Sequence, residues 1–289
     1  MDIIIAKNSG LCYGVKRALK IAQDTRQEKT GVVMTLGDLI HNPLVIANLR
    51  NQNIQTLESL GELKEGTVII RSHGISPQVY STLKKKKINI VDATCPNVKK
   101  IQNLVEQLAR KGEEIIIVGD KDHPEIIGLI GYSQGKAKVI ETVPHARRLP
   151  RKKKRFVLAQ STQDLYLFEK IISALIEKTE ELRVYNTICQ SVKKRQESTS
   201  ELAASVDTLF IIGGKKSSNT SKLFRIAKRI QPNTHFVEKA AEITPGMLKG
   251  AKRIGLSGGA STPPEAIREA VLIIKENLTQ QYPRETMSR

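Results

Sequence analysis

Three cysteines stand far apart in the chain, at positions 12, 95 and 189. Each lies in a polar turn that follows a β-branched run and precedes a helical pattern. The turns are Gly10-Leu11-Cys12-Tyr13-Gly14, Asp92-Ala93-Thr94-Cys95-Pro96 and Thr187-Ile188-Cys189-Gln190. In open α/β sheets ligands bind at the carboxyl ends of the strands. A helix start favours negative charge, hence thiolate over thiol. A single cysteine in such a place is ordinarily a small packing residue; three in one local context point to shared chemistry. Three thiolates can hold zinc or an iron–sulfur cluster. Without a Cys-x-x-Cys pair, a structural zinc ribbon is disfavoured. A cubane held by three cysteines leaves one iron open to substrate, as Lewis acid and as electron relay.

Histidines, one carboxylate and hydroxyls occupy similar turns. His41 lies in Asp38-Leu39-Ile40-His41-Asn42-Pro43, His73 in Arg71-Ser72-His73-Gly74, and His123 in Asp120-Lys121-Asp122-His123-Pro124-Glu125. Convergent imidazoles coordinate metals, move protons or donate to phosphate. His123 with Glu125 makes a proton-delivery pair, because a carboxyl in a closed pocket can be tuned toward neutral pKa. His145 and His235 read as polar surface. The turns Gly214-Lys215-Lys216-Ser217-Ser218-Asn219-Thr220, Gly258-Gly259-Ala260-Ser261-Thr262 and Ser161-Thr162 offer hydroxyls and backbone N–H groups at helix starts, which suit anions. Helix capping alone accounts for any one of them; together with three histidines they fit a phosphate or diphosphate.

The elements that must position these residues alternate. Strand-like runs are expected at 3–6, 32–36, 67–71, 89–92, 114–119, 156–160, 183–186, 208–213, 235–237 and 253–257. Helical patterns fill 14–27, 43–51, 77–86, 97–111, 163–178, 191–204, 221–229 and 264–277. Near-continuous apolar strands alternating with helices mean α/β architecture with mainly parallel sheets. The cysteine gaps of 83 and 94 residues suggest three small α/β domains, 13–95, 96–189 and 190–270, with 1–12 and 271–289 as closing segments.

Composition narrows the class. The 289 residues are 39% hydrophobic and 26% charged, which excludes disorder as the main state. No apolar stretch approaches about 18 residues, so no membrane helix is expected. The start, Met1-Asp2-Ile3-Ile4-Ile5-Ala6-Lys7, lacks a signal peptide's basic region, and a cytoplasmic location follows as an expectation. The net charge of +18 attracts anions. No tryptophan and few other aromatics argue against a base-stacking platform. Basic residues concentrate at Lys84 to Lys87 and from Arg147 to Arg155, which read either as solvated faces or as a docking face for an acidic partner. Familiar signatures fail. Gly213-Gly214-Lys215 has Thr208 where a Walker A loop needs glycine. No Gly-x-Gly-x-x-Gly follows the first strand. Gly255-Leu256-Ser257-Gly258-Gly259 imitates a hydrolase elbow, but no Asp or His follows it.

The combination Gly10-Leu11-Cys12-Tyr13-Gly14-Val15, His41-Asn42, Ser72-His73-Gly74, Asp92-Ala93-Thr94-Cys95-Pro96, His123-Pro124-Glu125, Cys189 with Arg195-Gln196-Glu197, Ser217-Ser218-Asn219 and Gly259-Ala260-Ser261 resembles the 4-hydroxy-3-methylbut-2-enyl diphosphate reductases, from Ile5 to about Asn277. The resemblance implies a trefoil of three α/β domains in pseudo-threefold array around one [4Fe–4S] cluster. Cys12, Cys95 and Cys189 would be its three ligands, leaving an open iron. It implies loss of the substrate hydroxyl as water with two electrons and two protons, giving isopentenyl and dimethylallyl diphosphate, the last step of the methylerythritol phosphate route. His41, His73, His123, Ser217, Ser218, Asn219 and Ser261 would bind the diphosphate, and Glu125 would donate a proton. Where the family usually has Gln-Thr-Thr, this chain has Gln160-Ser161-Thr162; Ser161 would support substrate and Glu125 without the usual methyl. The charge suits an acidic electron donor, ferredoxin or flavodoxin, with no nucleic acid or membrane as partner. Two other classes are a [4Fe–4S] hydro-lyase of aconitase type, which needs no net electrons, and a basic nucleic-acid-binding protein with a structural metal, whose binding falls steeply with salt.

Overall fold

A computed structural model describes residues 1–62, 65–86 and 88–281. In chain order the elements begin β1 (Asp2–Ile5), α1 (Tyr13–Glu28), β2 (Val33–Leu36), α2 (Pro43–Asn51), β3 (Ile54–Leu57), β4 (Thr67–Ile70), α3 (Pro77–Lys85) and β5 (Asn89–Asp92). They continue with α4 (Pro96–Arg110), β6 (Ile115–Val118), α5 (Pro124–Tyr132), β7 (Lys138–Ile140), α6 (Val143–Arg148), β8 (Lys152–Ala159), α7 (Leu165–Ile176) and β9 (Thr179–Tyr185). The last are α8 (Gln190–Ala203), β10 (Thr208–Ile212), α9 (Ser218–Ile230), β11 (Thr234–Val237), β12 (Arg253–Gly258) and α10 (Pro264–Gln281).

These strands form three four-stranded sheets, ordered β3-β2-β4-β5, β7-β6-β8-β9 and β1-β12-β10-β11, and every pairing is parallel. One plan generates all three. The first strand of each repeat pairs with the second on one side and the third on the other, and the fourth adds beside the third. In the last sheet the fourth strand is β1, taken from the start of the chain. The central strands are wholly buried in Ile115–Val118, Thr67–Ile70 and Thr208–Ile212. This is why they read as continuous apolar runs: helices cover both faces of a parallel sheet.

The chain divides into two compact units, Met1–Cys12 together with the chain from Ser191 on, and Tyr13–Gln190. The first holds one sheet. Its core joins Phe210, Leu256, Ile267 and Ile274 on one side, and Leu202, Leu209, Ile211 and Leu223 on the other. The second holds the other two sheets. No described helix is long and apolar enough to cross a membrane.

The α/β class with parallel sheets is as the sequence implies, but several elements differ. The ten expected strands omit β3 and β7, the short outermost strands of their sheets. At an edge only one neighbour and one buried face constrain the residues, so the pattern is weak. The expected helices omit α5 and α6. Gly128 and Gly131 make α5 read as broken, yet close packing requires Gly131: a Cβ there would overlap Ser76 Cβ at the start of α3. The expected strand at 156–160 begins earlier, inside the basic run. Lys154 pairs with Glu113 at 3.3 Å, and the fully buried Arg155 pairs with Glu114 at 3.2 Å while donating to the carbonyls of Lys178 and Pro150. The last two residues of the 147–155 run are therefore spent inside their own sheet, at the amino end of β8, while Arg147, Arg148, Arg151, Lys152 and Lys153 are exposed. Lys84 and Lys85 end α3; Lys87 and the tail from Tyr282 lie outside the described residues.

We expect Gly131→Ala to destabilise the protein despite alanine's helix propensity. Overpacking at about 1–3 kcal/mol outweighs a propensity gain of about 1 kcal/mol. At about 2–4 °C per kcal/mol the melting temperature should fall by up to about 8 °C; a rise would show that α3 and α5 do not meet this closely.

Candidate functional site

The cysteines occupy one position of the repeated plan. Each follows the fourth strand of its sheet and directly precedes a helix, α1, α4 or α8. Each is suspended by its backbone N–H from the loop that follows the third strand. Cys95 donates to the Ser72 carbonyl and Cys189 to the Ser161 carbonyl, both at 2.9 Å, and Cys12 donates to the Ala260 carbonyl at 3.0 Å. None of the three is in a disulfide, and all are partly exposed. Cys95 is the N-cap residue of α4 with Pro96 at its first position, and its side chain makes no capping bond. Its turn is anchored by Asp92, which accepts from the Thr94 N–H at 2.9 Å and pairs with Lys99 at 2.6 Å. Burial alone would raise the Asp92 pKa; the bonds from Lys99 and Thr94 outweigh it and hold the carboxyl below its ordinary range.

Within the unit Tyr13–Gln190 the three histidines converge. The His41 and His73 rings stack with centroids 4.7 Å apart, and His123 stands edge-on to them at 5.8 and 5.1 Å. The loops are tied together by Ser72, whose N–H and hydroxyl both donate to the Leu39 carbonyl, at 3.3 and 3.1 Å. Burial pushes the His73 pKa well below 6.5, helped by His123, His41 and Arg71. His73 is therefore neutral near pH 7.

One ligand atom from each ring lies within 4.8 Å of the others, a spacing open to a metal ion. The helix cap of α5 decides otherwise. His123 Nδ1 accepts the Glu125 backbone N–H at 3.1 Å, so the ring's proton sits on Nε2. A metal at Nε2 would need that proton removed and the cap bond given up. An N–H directed at anionic oxygen needs neither, and the cluster reads as an anion receptor.

Beside it lies Glu125, 1% exposed, in the first turn of α5. Both its oxygens are held by one residue: Oε1 accepts from the Ser161 N–H at 2.7 Å and Oε2 from the Ser161 hydroxyl at 2.6 Å. The Ser161 carbonyl is the acceptor for Cys189, so carboxyl, hydroxyl and cysteine form one connected chain. The sequence reading gave Gln160 no role. It is fully buried, accepts from the Asp120 N–H through Oε1 at 2.9 Å and donates to the Thr162 hydroxyl at 3.0 Å, locking the His123 loop to the Ser161 loop. Its signal was an amide closing an otherwise apolar buried strand. Asn97, also unremarked, donates to the Cys189 sulfur at 3.2 Å.

In the other unit Ser217 caps α9 by accepting the Thr220 N–H at 3.4 Å. Ser218 and Asn219 belong to the first turn of that helix rather than to the loop the sequence suggested. Ser218 accepts from the buried Lys222 ammonium at 2.8 Å. Both polar atoms of the Asn219 amide, and the Thr220 hydroxyl, are buried with no hydrogen-bond partner among the described residues. An unpaired buried polar group costs about 1–3 kcal/mol, so a fully unpaired amide at a helix start marks a place for a ligand. Gly259 keeps the cradle open: a Cβ there would overlap the Thr220 hydroxyl. Ser261, 5% exposed, follows Ala260, which carries Cys12. Arg195 donates to the Gly10 carbonyl at 2.6 Å and stiffens the turn before Cys12.

Residues 3–275 match the LytB protein family. A 4-hydroxy-3-methylbut-2-enyl diphosphate reductase of Caldanaerobacter subterraneus is 44% identical over 279 residues, 95% of this chain and 97% of the relative. That of Aquifex aeolicus is 43% identical over 281 residues, 96% of each chain. A solved structure of (E)-4-hydroxy-3-methyl-but-2-enyl diphosphate reductase, described as the terminal enzyme of the non-mevalonate pathway, superposes with TM-score 0.68 at 42% identity, covering 96% of this chain and all of that one. The structure of the E-1-hydroxy-2-methyl-but-2-enyl-4-diphosphate reductase from Plasmodium falciparum gives TM-score 0.91 at 26% identity, covering 95% of this chain and 88% of that one.

Because the folded His73 resists protonation, the unfolded chain takes up the proton first as the pH drops below about 6.5. Stability from this group is complete above that pH and is lost below it, by up to about 1.4 kcal/mol per pH unit. Chemical unfolding between pH 7 and 5 should show a shallower decline for His73→Gln than for wild type. Parallel curves would mean that His73 charges without cost in the folded state.

Proposed function

The chain belongs to the LytB family of 4-hydroxy-3-methylbut-2-enyl diphosphate reductases, and from that premise we propose how its own residues bind the substrate and deliver protons. The reaction takes two electrons and two protons, releases the hydroxyl as water and yields isopentenyl and dimethylallyl diphosphate. The observation that carries the reading is the buried Glu125 carboxyl, held by both polar groups of Ser161 beside His123.

The cysteines fit an iron–sulfur cluster: three partly exposed cysteines outside any disulfide, at helix starts, one already carrying an amide N–H on its sulfur. Cys12, Cys95 and Cys189 are the three ligands of a [4Fe–4S] cluster with one open iron. When bound, it supplies electrons singly and a Lewis-acidic iron for the substrate hydroxyl. His41, His73 and His123 donate to the diphosphate, as do Ser217, Ser218, Asn219 and Ser261, and binding both ends of its charge orients the reacting carbon. The chain is organised as three domains, 13–95, 96–189 and 190–270, with 1–12 and 271–289 closing it.

Proton delivery follows from the hydrogen bonds. The Ser161 N–H can only donate, so Glu125 Oε1 is fixed as an acceptor, and when the carboxyl takes up a proton it is Oε2 that carries it. The Ser161 hydroxyl can reverse, accepting from Oε2 and passing its own proton to the departing oxygen. The serine in place of the family's threonine keeps this function. An acidic ferredoxin or flavodoxin suits the net charge of +18 as electron donor, and the cytoplasm is the expected location.

The test is anaerobic oxidation of reduced methyl viologen on adding 4-hydroxy-3-methylbut-2-enyl diphosphate. Glu125→Gln should keep the iron and sulfide content and lose turnover by about 10²–10⁴-fold. Ser161→Ala should lose a comparable share, and Ser161→Thr should retain wild-type rates within about threefold. Near-normal turnover in Glu125→Gln would remove its assigned role, and substrate conversion without viologen oxidation would favour the hydro-lyase.

A further inference from the structure

The Asn97 side chain donates from Nδ2 to the Cys189 sulfur at 3.2 Å, from the exposed first turn of α4. An asparagine at a helix's second position is ordinarily a solvated polar group; here it reaches a cysteine 92 residues away in sequence. Three features make the contact directional. Pro96 at the first helical position fixes the backbone φ from which Asn97 projects. The Cys189 backbone N–H is committed to the Ser161 carbonyl, so it does not turn toward its own sulfur. An amide N–H facing sulfur grows stronger as the sulfur gains charge, because charge-assisted bonds are roughly twice as strong as neutral ones.

We propose that Asn97 is a positioning residue that holds the Cys189 sulfur and raises the reduction potential of the iron–sulfur centre. The inference rests on the reading that Cys189 is a cluster ligand. One-electron reduction adds negative charge that is shared by the ligand sulfurs. A hydrogen bond to one of them stabilises the reduced state more than the oxidised state, and hydrogen bonds to sulfur are a recognised control of cluster potential. The bond also ties two ligand turns together, since Asn97 lies two residues beyond Cys95. Asn97 thereby makes electron uptake by the cluster easier beside the cysteine whose backbone N–H is held by Ser161, the residue that also holds Glu125.

The test is a reductive titration of the full-length, anaerobically reconstituted protein, with iron and sulfide measured per chain and the reduced cluster followed by electron paramagnetic resonance. Asn97→Leu should disfavour reduction about tenfold, a shift of the midpoint to more negative potential by about 59 mV for one electron. Asn97→Asp keeps the shape, removes the donor and adds a negative charge; it should shift the midpoint the same way by at least as much. In wild type the reduced cluster should couple to an exchangeable proton and a nitrogen that Asn97→Leu abolishes. Asn103→Leu, an exposed change further along α4, should leave midpoint and couplings unaltered. Full cluster loading with wild-type midpoints in the Leu and Asp variants would overturn the proposal and leave the cluster reading intact. If Asn97→Leu fails to load, the midpoint of Asn97→Asp decides. Wild-type protein that retains no iron and sulfide after reconstitution would overturn both.

Discussion

The hydrogen bond from the Cys189 N–H to the Ser161 carbonyl fixes the arrangement on which the candidate chemistry depends. It joins the last turn of one strand to the loop of its neighbour at the carboxyl end of the sheet. Ser161 has three polar groups in that loop and all three are engaged: the carbonyl carries the cysteine, and the N–H and hydroxyl carry Glu125. Moving any one of these partners moves the others. Ser72 repeats the design in the neighbouring sheet, with its carbonyl carrying Cys95 and its two donors holding the Leu39 carbonyl of the His41 loop. A cysteine is thus coupled through a single serine to an acid in one sheet and to the His41 loop in the other.

This coupling follows from parallel topology. In a sheet ordered second, first, third, fourth, the loops after the first, third and fourth strands are adjacent at one end. The first carries the residues that cap a helix: Asn42 after His41, then His123, and Ser217 before Asn219. The third carries the serines, and the fourth carries the cysteine. The loops after the second strands carry Glu141 and Glu238, which accept the Lys121 and Lys215 N–H groups at 3.1 and 2.8 Å and brace the first loops from outside.

Much of this was legible because chemistry and strand ends coincide. The cysteines, histidines and Glu125 sit in turns after apolar runs, where the residue types themselves announce function. The elements that were not legible carry packing rather than chemistry. β3 and β7 are edge strands whose three or four residues satisfy one neighbour. α5 contains glycines that helix propensity counts against it, whereas Ser76 of the adjacent turn leaves no room for a side chain. Gln160, Ser72 and Asn97 act through hydrogen bonds to residues 40, 33 and 92 positions away, and no local pattern encodes such a partner.

The charge distribution separates attraction from recognition. The net charge of +18 draws anions over a distance, but the inner end of the longest basic run, Lys154 and Arg155, is paired with Glu113, Glu114 and Glu181 at the far end of its sheet. The receptor itself is built chiefly from neutral donors. His73 is held uncharged by burial, and His123 is fixed by the α5 cap with its proton on Nε2. Neutral N–H groups fixed in a buried place recognise oxygen geometry without the desolvation cost of three buried imidazolium ions. They also avoid the mutual repulsion that three such charges would suffer at ring separations near 5 Å. Substrate and product carry the same diphosphate, so tighter binding through added charge would slow product departure as much as it aided capture, and would leave the barrier unchanged. On the proposed reading, selectivity for the reacting end rests with Glu125, Ser161 and the cysteines, which the Ser161 hydrogen bonds hold together.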